Sequence, residues 1–162
     1  MFRGKDDFTE LERKYEKILE DDPSSNIFVL YAEILIKQNK LKKAIKVLNK
    51  GLKHNGSNIT ARFLLAKIYF DNWMIDQAKK HFEYILKISP DNLASVKYLV
   101  QIYRSENKYE KAITISRNAL FYFPDNKDIH EMLETVQNEY REHFDSGGCE
   151  EEISHKQRNS LT

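Results

Sequence analysis

Residues 59–92 have the sequence ITARFLLAKIYFDNWMIDQAKKHFEYILKISPDN, and the stretches before and after them repeat its pattern. Ala78 in this stretch lies 34 residues after Ala44 and 34 residues before Ala112. Leucines follow each alanine by eight residues: Leu52, Leu86 and Leu120. A fixed period of this length indicates an array of structural repeats. The repeat units are expected at about 25–58, 59–92 and 93–126.

Each unit is expected to form a pair of helices. Within residues 41–54, apolar side chains recur at the three- and four-residue spacing of a helix. Pro90 and Pro124 end the helices that precede them, because proline cannot continue a helix. The polar pairs that follow, Asp91-Asn92 and Asp125-Asn126, can cap the next helices. Neither helix of a pair can bury its apolar face alone, so the pairs must stack.

This pattern resembles the tetratricopeptide repeat, a 34-residue helix–turn–helix unit. The resemblance implies an all-α fold, a right-handed solenoid of antiparallel helix pairs with about eight helices. The turn inside each unit falls at Asn39, Trp73 and Asn107, where the family usually has glycine. Asparagine tolerates the left-handed backbone that such a turn often needs, whereas tryptophan adopts it at a cost.

Extra helices are expected at both ends of the array. Residues 6–22 repeat the second-helix pattern of a unit alone, and residues 127–144 form an amphipathic pattern suited to a capping helix. The sequence thus predicts one domain, residues 6–144. Residues 145–162 are polar and predict a disordered tail.

Composition and motifs exclude several classes of function. The 162 residues are 41% hydrophobic and 31% charged with a net charge of +1, which gives no overall attraction to nucleic acid or membrane. One cysteine, Cys149, excludes an internal disulfide. Because the sequence contains no catalytic constellation, phosphate loop or metal-ligand cluster, we expect no enzyme, cofactor or metal. The lack of a long apolar stretch and the acidic N-terminus predict a cytoplasmic protein.

The family resemblance implies a concave groove lined by the first helix of each unit. It therefore implies a non-catalytic adaptor that binds a peptide segment or a partner protein. Phe63 and Phe70 share one helix face, where they either bind the partner or complete the core. Lys67, Lys97 and Arg104 would orient an acidic residue of the peptide. The groove positions are Asn26, Val29, Glu33, Ile36, Thr60, Phe63, Lys67, Phe70, Ala94, Lys97, Gln101 and Arg104.

Two further surfaces and two other functions stay open. The row Lys42, Lys46 and Lys50 either contacts an anionic partner or is a solvated face balanced by acids of the N-terminal helix. Trp73 and Met74 are either folded under the turn or offered to a partner. The chain resembles small type III secretion chaperones in its size and flanking helices. A basic RNA-contacting solenoid is the other alternative, although no aromatic residue lies among the lysines and nucleic acid is disfavoured. A homodimer is also open.

Overall fold

The computed structural model describes the backbone of residues 5–147 and the side chains of residues 9–145. All regular structure in this range is α-helical, so the predicted all-α, tetratricopeptide-like solenoid is confirmed. None of the described helices is long and apolar enough to cross a membrane. Contacts divide the chain into two compact units, Met1–Ile88 and Ser89–Thr162. The first contains α1 (Lys5–Asp21), α2 (Ile27–Lys37), α3 (Leu41–His54), α4 (Ile59–Asp71) and α5 (Ile75–Ile88). The second contains α6 (Leu93–Ser105), α7 (Tyr109–Tyr122) and α8 (Lys127–Gly147).

The turns inside the three helix pairs share one backbone geometry. Asn39, Trp73 and Asn107 have φ angles of 58°, 61° and 56°, which lie in the left-handed region. In each turn the amide of the following residue donates to the carbonyl five residues back, as Met74 N does to Tyr69 O at 2.9 Å. This bond satisfies a carbonyl group at the end of the first helix. The left-handed turn expected at these positions is therefore confirmed, even where tryptophan occupies it.

Asparagine side chains cap the first helices of the later pairs. Asn58 Oδ1 accepts a hydrogen bond from Ala61 N at 2.9 Å, and Asn92 Oδ1 accepts one from Ser95 N at the same distance. Asn126 caps α8 in the same way at 3.2 Å. In the two Asp-Asn pairs, the asparagine therefore takes the capping role that the sequence left open between the two residues.

Small residues allow the helices of the first unit to approach closely. Ala44 and Ala78 have no exposed surface. The ring of Phe28, on α2, lies against Gly51, on α3, and a Cβ added to Gly51 would lie 2.3 Å from ring atoms. Only glycine leaves room for the ring there, because protein cores have almost no free volume. The surrounding buried cluster is Phe28, Tyr31, Ala32, Leu35, Ala44, Leu48, Ala61, Leu65 and Ile68.

The second unit has a core of its own. Ala112, the third alanine of the repeat, is fully buried. Ser116 is buried as well, and its hydroxyl donates to Ala112 O at 2.9 Å, so that the polar group keeps a partner. Ile129 and Val136 on α8 are fully buried, and α8 packs against α7. The predicted C-terminal helix therefore covers the end of this unit.

Carboxylates join α1 to the first repeat. Glu12 accepts hydrogen bonds from Lys40 and Lys43, and Lys43 Nζ lies 2.8 Å from Glu12 Oε2 and 2.9 Å from Glu16 Oε1. The Glu12 side chain is only 8% exposed. Burial raises the pKa of Glu12, but the hydrogen bonds and charges of the two lysines outweigh it and place the pKa below its ordinary value. Burial likewise raises the pKa of Tyr31, whose hydroxyl donates to Glu16, to about 12.

The C-terminal helix is longer than the sequence suggests. The sequence predicts an end at residue 144 and a disordered tail from residue 145, but α8 continues to Gly147. Asp145 and Ser146 are polar without being helix breakers, so the backbone hydrogen bonds continue through them until a glycine is reached. The remainder of the predicted tail, residues 148–162, lies outside the described residues.

Replacing Gly51 with alanine tests its contact with Phe28. Alanine usually favours a helix interior over glycine by about 0.5–1 kcal/mol. Here its methyl group would overlap the ring, so we expect Gly51→Ala to lower the free energy of unfolding by roughly 1–3 kcal/mol in urea denaturation. Gly56→Ala, in the turn after α3, is the control for added bulk, because a Cβ there lies 3.4 Å from its nearest neighbour, Leu52 O. Equal losses in the two variants, or a gain from Gly51→Ala, would contradict the packing.

Acid titration tests the Glu12 bridge. Because the folded state lowers the pKa of Glu12, the stabilisation is present above the unfolded pKa and is lost as the pH falls through the folded pKa. We expect Glu12→Gln to lower the free energy of unfolding near neutral pH by on the order of 1 kcal/mol. The difference from the wild type should shrink as the pH falls below about 4. Glu10→Gln, an exposed position on the same helix, should change little at either pH. If the wild type and Glu12→Gln differ in free energy of unfolding by the same amount at every pH, the bridge is rejected.

Candidate functional site

The predicted groove residues of the first two repeats belong to the first compact unit, Met1–Ile88. Apart from Asn26, which precedes α2, they lie on α2 and α4, and these two helices contact each other directly. On each helix these residues are three or four positions apart, so they share one helix face. Glu33 is half-buried and Lys67 is exposed. Val29 and Ile36 pack against the buried cluster and remain partly exposed. We call this set the α2/α4 face: Val29, Glu33, Ile36, Thr60, Phe63, Lys67 and Phe70.

Asn26 is exposed and has hydrogen-bond partners within the fold. Its side-chain oxygen accepts hydrogen bonds from Asn55 Nδ2 at 2.8 Å and from Asn58 Nδ2 at 3.3 Å. These bonds tie the start of α2 to the loop between α3 and α4. Among the predicted groove residues, Asn26 thus connects the start of the first repeat to the start of the second through hydrogen bonds.

Phe63 and Phe70 are both half-buried on α4. The ring of Phe63 packs edge-on against Phe82 of α5, with centroids 5.8 Å apart and planes at 66°. Phe82 itself is fully buried. Phe63 therefore contributes to the core of its helix pair, and part of its surface stays accessible, so its binding role stays a prediction.

In the second compact unit, the two predicted groove cations already form ion pairs. Lys97 Nζ lies 2.7 Å from Asp128 Oδ2, and Arg104 Nε donates to Glu139 Oε2 at 2.8 Å. The hydrogen bond from Arg104 holds the pKa of Glu139 below its ordinary value, against the opposing effect of burial. Helix α8 therefore neutralises the basic end that the sequence assigns to the groove. Ala94 and Gln101 are exposed on the same helix, α6.

A spacing signal for this pairing exists in the sequence. Lys97 and Arg104 are seven residues apart, about two helical turns, and Asp128 and Glu139 are eleven apart, about three. Each pair therefore lies on one face of its helix. The carboxylates of α8 and the cations of α6 are opposite in sign, so the two faces attract each other when α8 packs against this unit.

The lysine row Lys42, Lys46 and Lys50 is exposed along α3. The acids of α1 pair with two neighbouring lysines, Lys40 and Lys43, instead of this row. Within the part of the chain that the structure describes, the three row lysines form no ion pair. The row therefore keeps its positive charge available.

An open cleft of about 330 Å³ lies between α1, α2 and α3, and we call it the α1–α3 cleft. Its floor is apolar and includes the rings of Phe28 and Tyr31. One wall is α1 and the other is α3, so the walls carry opposite charges. The lining residues are Glu16, Leu19, Glu20, Pro23, Phe28, Tyr31, Lys43, Lys46, Val47, Lys50 and Gly51. The sequence does not predict this cleft, because the cleft depends on the distance between α1 and α3.

The turn between α4 and α5 presents its apolar side chains to solvent. Trp73 is 88% exposed and Met74 is 42% exposed. Of the two possibilities that the sequence left for this turn, the structure therefore has the exposed one. We call Trp73 and Met74 the α4–α5 tip.

Phe121 and Tyr122, at the end of α7, are exposed aromatic residues that sequence analysis did not single out. Phe121 is 84% exposed and its ring contacts that of Tyr122, with centroids 5.4 Å apart. The repeat itself contains the signal, since the positions equivalent to Phe121 in the earlier units are Lys53 and Lys87. An aromatic residue has replaced a charged one at an exposed position of the repeat.

Comparison of sequences gives one family match. A family model for subunit 3 of the anaphase-promoting complex (cyclosome) matches residues 7–83. No curated protein sequence matches the chain. The match covers the N-terminal helix and the first two repeats up to the middle of α5.

Comparison of structures covers most of the chain. A tetratricopeptide repeat protein from Parabacteroides merdae aligns over 85% of this chain and 57% of its own length, with 19% identity and a TM-score of 0.71. YrrB, a tetratricopeptide repeat protein with an unusual peptide-binding site, aligns over 75% of this chain and 63% of its own, at 20% identity and a TM-score of 0.63. MamA aligns over 97% of this chain and 82% of its own, at 18% identity and a TM-score of 0.67. The chain thus spans less than two thirds of the first two structures.

At these identities the likeness is one of fold. It agrees with the 34-residue period, the left-handed turns and the helix pairs found in the chain itself. With its three repeats and their paired helices, the chain has the fold of a tetratricopeptide-repeat protein.

Proposed function

We propose that this chain is a non-catalytic interaction module that binds a peptide segment or a partner protein on the α2/α4 face. The observation that carries the proposal is the pair Phe63 and Phe70, which stay partly accessible on α4 beside the exposed Lys67. The fold supports it, because tetratricopeptide repeats generally serve as interaction scaffolds and one similar structure has a peptide-binding site. In this proposal residues 6–144 act as one domain, and the protein is cytoplasmic.

The chemistry of the face defines the ligand. Phe63, Phe70 and Ile36 offer partly exposed apolar surface that a bound side chain would remove from water. Lys67 would attract an acidic residue of the ligand and Glu33 would repel one, so the two charges set its direction. We assign the orienting role to Lys67 because Lys97 and Arg104 are engaged with α8. The ligand is therefore an extended or helical peptide with apolar side chains and an acidic residue.

Binding to selected peptides tests this proposal. Peptides are first selected from a displayed random library on the wild-type chain, and their binding is then followed by surface kinetics. We expect Phe70→Ala to weaken the selected peptides by roughly 1–2 kcal/mol, mostly through faster dissociation, because it removes apolar contact area. Lys67→Glu should instead slow association and alter its salt dependence.

Leu30→Ala is the matched control for these variants. Leu30 is an exposed apolar residue of α2 outside the α2/α4 face, so its truncation should leave binding unchanged. Selected peptides that bind Phe63→Ala, Phe70→Ala and Lys67→Glu as tightly as the wild type would place recognition elsewhere and overturn the proposal. The secretion-chaperone and RNA-binding alternatives stay predictions from the sequence, and no contact among the described residues favours them.

A further inference from the structure

The three repeats provide an internal comparison for the α4–α5 tip. The positions equivalent to Trp73 are Asn39 and Asn107, and those equivalent to Met74 are Lys40 and Lys108. All three turns have the same left-handed φ and the same closing hydrogen bond. Asparagine therefore suffices to build this turn, and a bulky residue adopts its backbone only at a cost. The fold does not account for an exposed tryptophan at this position.

Two exposed acidic residues flank the tip along the chain. Asp71 precedes it at the end of α4 and is exposed. Asp76 follows it at the start of α5, where its side chain is 85% exposed and lies 3.6 Å from Lys79. A surface that receives the tip must therefore offer an apolar recess with positive charge at its edge.

The α1–α3 cleft has these two properties. Its floor contains Phe28 and Tyr31, and its volume of about 330 Å³ suits one large side chain rather than a helix. On the α3 wall, Lys46 and Lys50 form no ion pair among the described residues, and both are exposed. Glu20 lies on the opposite wall. Acids that accompany an inserted side chain would therefore approach along α3.

We propose that this chain self-associates head to tail, with the α4–α5 tip of one copy inserted in the α1–α3 cleft of a second copy. Trp73 contacts the apolar floor, while Asp71 and Asp76 face Lys46 and Lys50. Tip and cleft are different surfaces of one chain, so the contact is heterologous. Each added copy leaves one tip and one cleft unused, and the product is a ring or an open chain. A single inserted side chain makes a small interface, so the association is weak and depends on concentration.

Sedimentation velocity of the full chain, without any peptide, tests the self-association. The wild type is expected to shift to larger species as its concentration rises. The tip variant Trp73→Asn/Met74→Lys has the residues of the sister repeats, and the cleft variant is Lys46→Glu/Lys50→Glu. Each should require at least about ten-fold higher concentration for the same shift, because one side of the contact is lost. Glu20→Lys should act in the opposite direction and promote association.

Mixing the two variants tests the head-to-tail geometry. The tip variant retains an intact cleft, and the cleft variant retains an intact tip, so the mixture can form one contact. We expect a 1:1 dimer and nothing larger. Trp73 is the only tryptophan of the chain and the tip variant lacks it, so the fluorescence of the mixture reports the inserted tip alone. Its emission should move to shorter wavelength on mixing as the indole leaves water.

Circular dichroism and urea denaturation verify that the variants fold, and the tip variant should be at least as stable as the wild type. A wild type that stays monomeric at all concentrations, a tip variant that associates as the wild type does, or a mixture that stays monomeric would each overturn the proposal. A tryptophan-bearing acidic peptide that binds the cleft while the mixture stays monomeric would assign the cleft to another protein. No peptide is present in this test, so its outcome is independent of the peptide-binding proposal.

Discussion

Close approach of helices at small residues is the constraint on which the rest of this structure depends. Ala44, Ala78 and Ala112 have no exposed surface, and Gly51 leaves only enough room for the ring of Phe28. In a repeat array each helix pair is stabilised by its own contacts and by those with its neighbours. If a side chain separated two helices at one of these points, the apolar faces beside it would lose their packing. The surfaces that could bind a partner exist because these contacts hold.

The flanking helices do more than cover apolar faces. In the first unit, Glu12 of α1 pairs with Lys43 of α3, and in the second, Glu139 of α8 pairs with Arg104 of α6. Both flanking helices thus place carboxylates on cations of the repeats. This selects which charges remain available for binding: Lys46, Lys50 and Lys67 stay exposed, while Arg104 and Lys97 are engaged. The proposed peptide binding and self-association therefore both use lysines that the flanking helices do not neutralise.

The sequence predicted the features that the period controls. The register of the helices, the left-handed turns at Asn39, Trp73 and Asn107, and the caps after the prolines all follow from residues close in the chain. It did not predict the pairing of Arg104 with Glu139 or the α1–α3 cleft, because these depend on the distance between helices distant in sequence. The end of α8 was wrong by three residues, since polar residues can extend a helix without an apolar pattern. Exposure of Trp73 could not be decided from a turn position alone.

The central claim is that the paired helices approach each other closely at small residues that recur with the repeat. It is tested most directly by adding the same side chain at two neighbouring positions of α5. Ala78 is fully buried and Gln77 is exposed. We expect Ala78→Leu to lower the free energy of unfolding by roughly 1–3 kcal/mol or more, because three added carbons force the helices apart. Gln77→Leu should change it by no more than about 0.5 kcal/mol, as is usual for a surface position. Equal effects of the two substitutions in urea denaturation, or a larger effect of Gln77→Leu, would contradict the register and the account built on it.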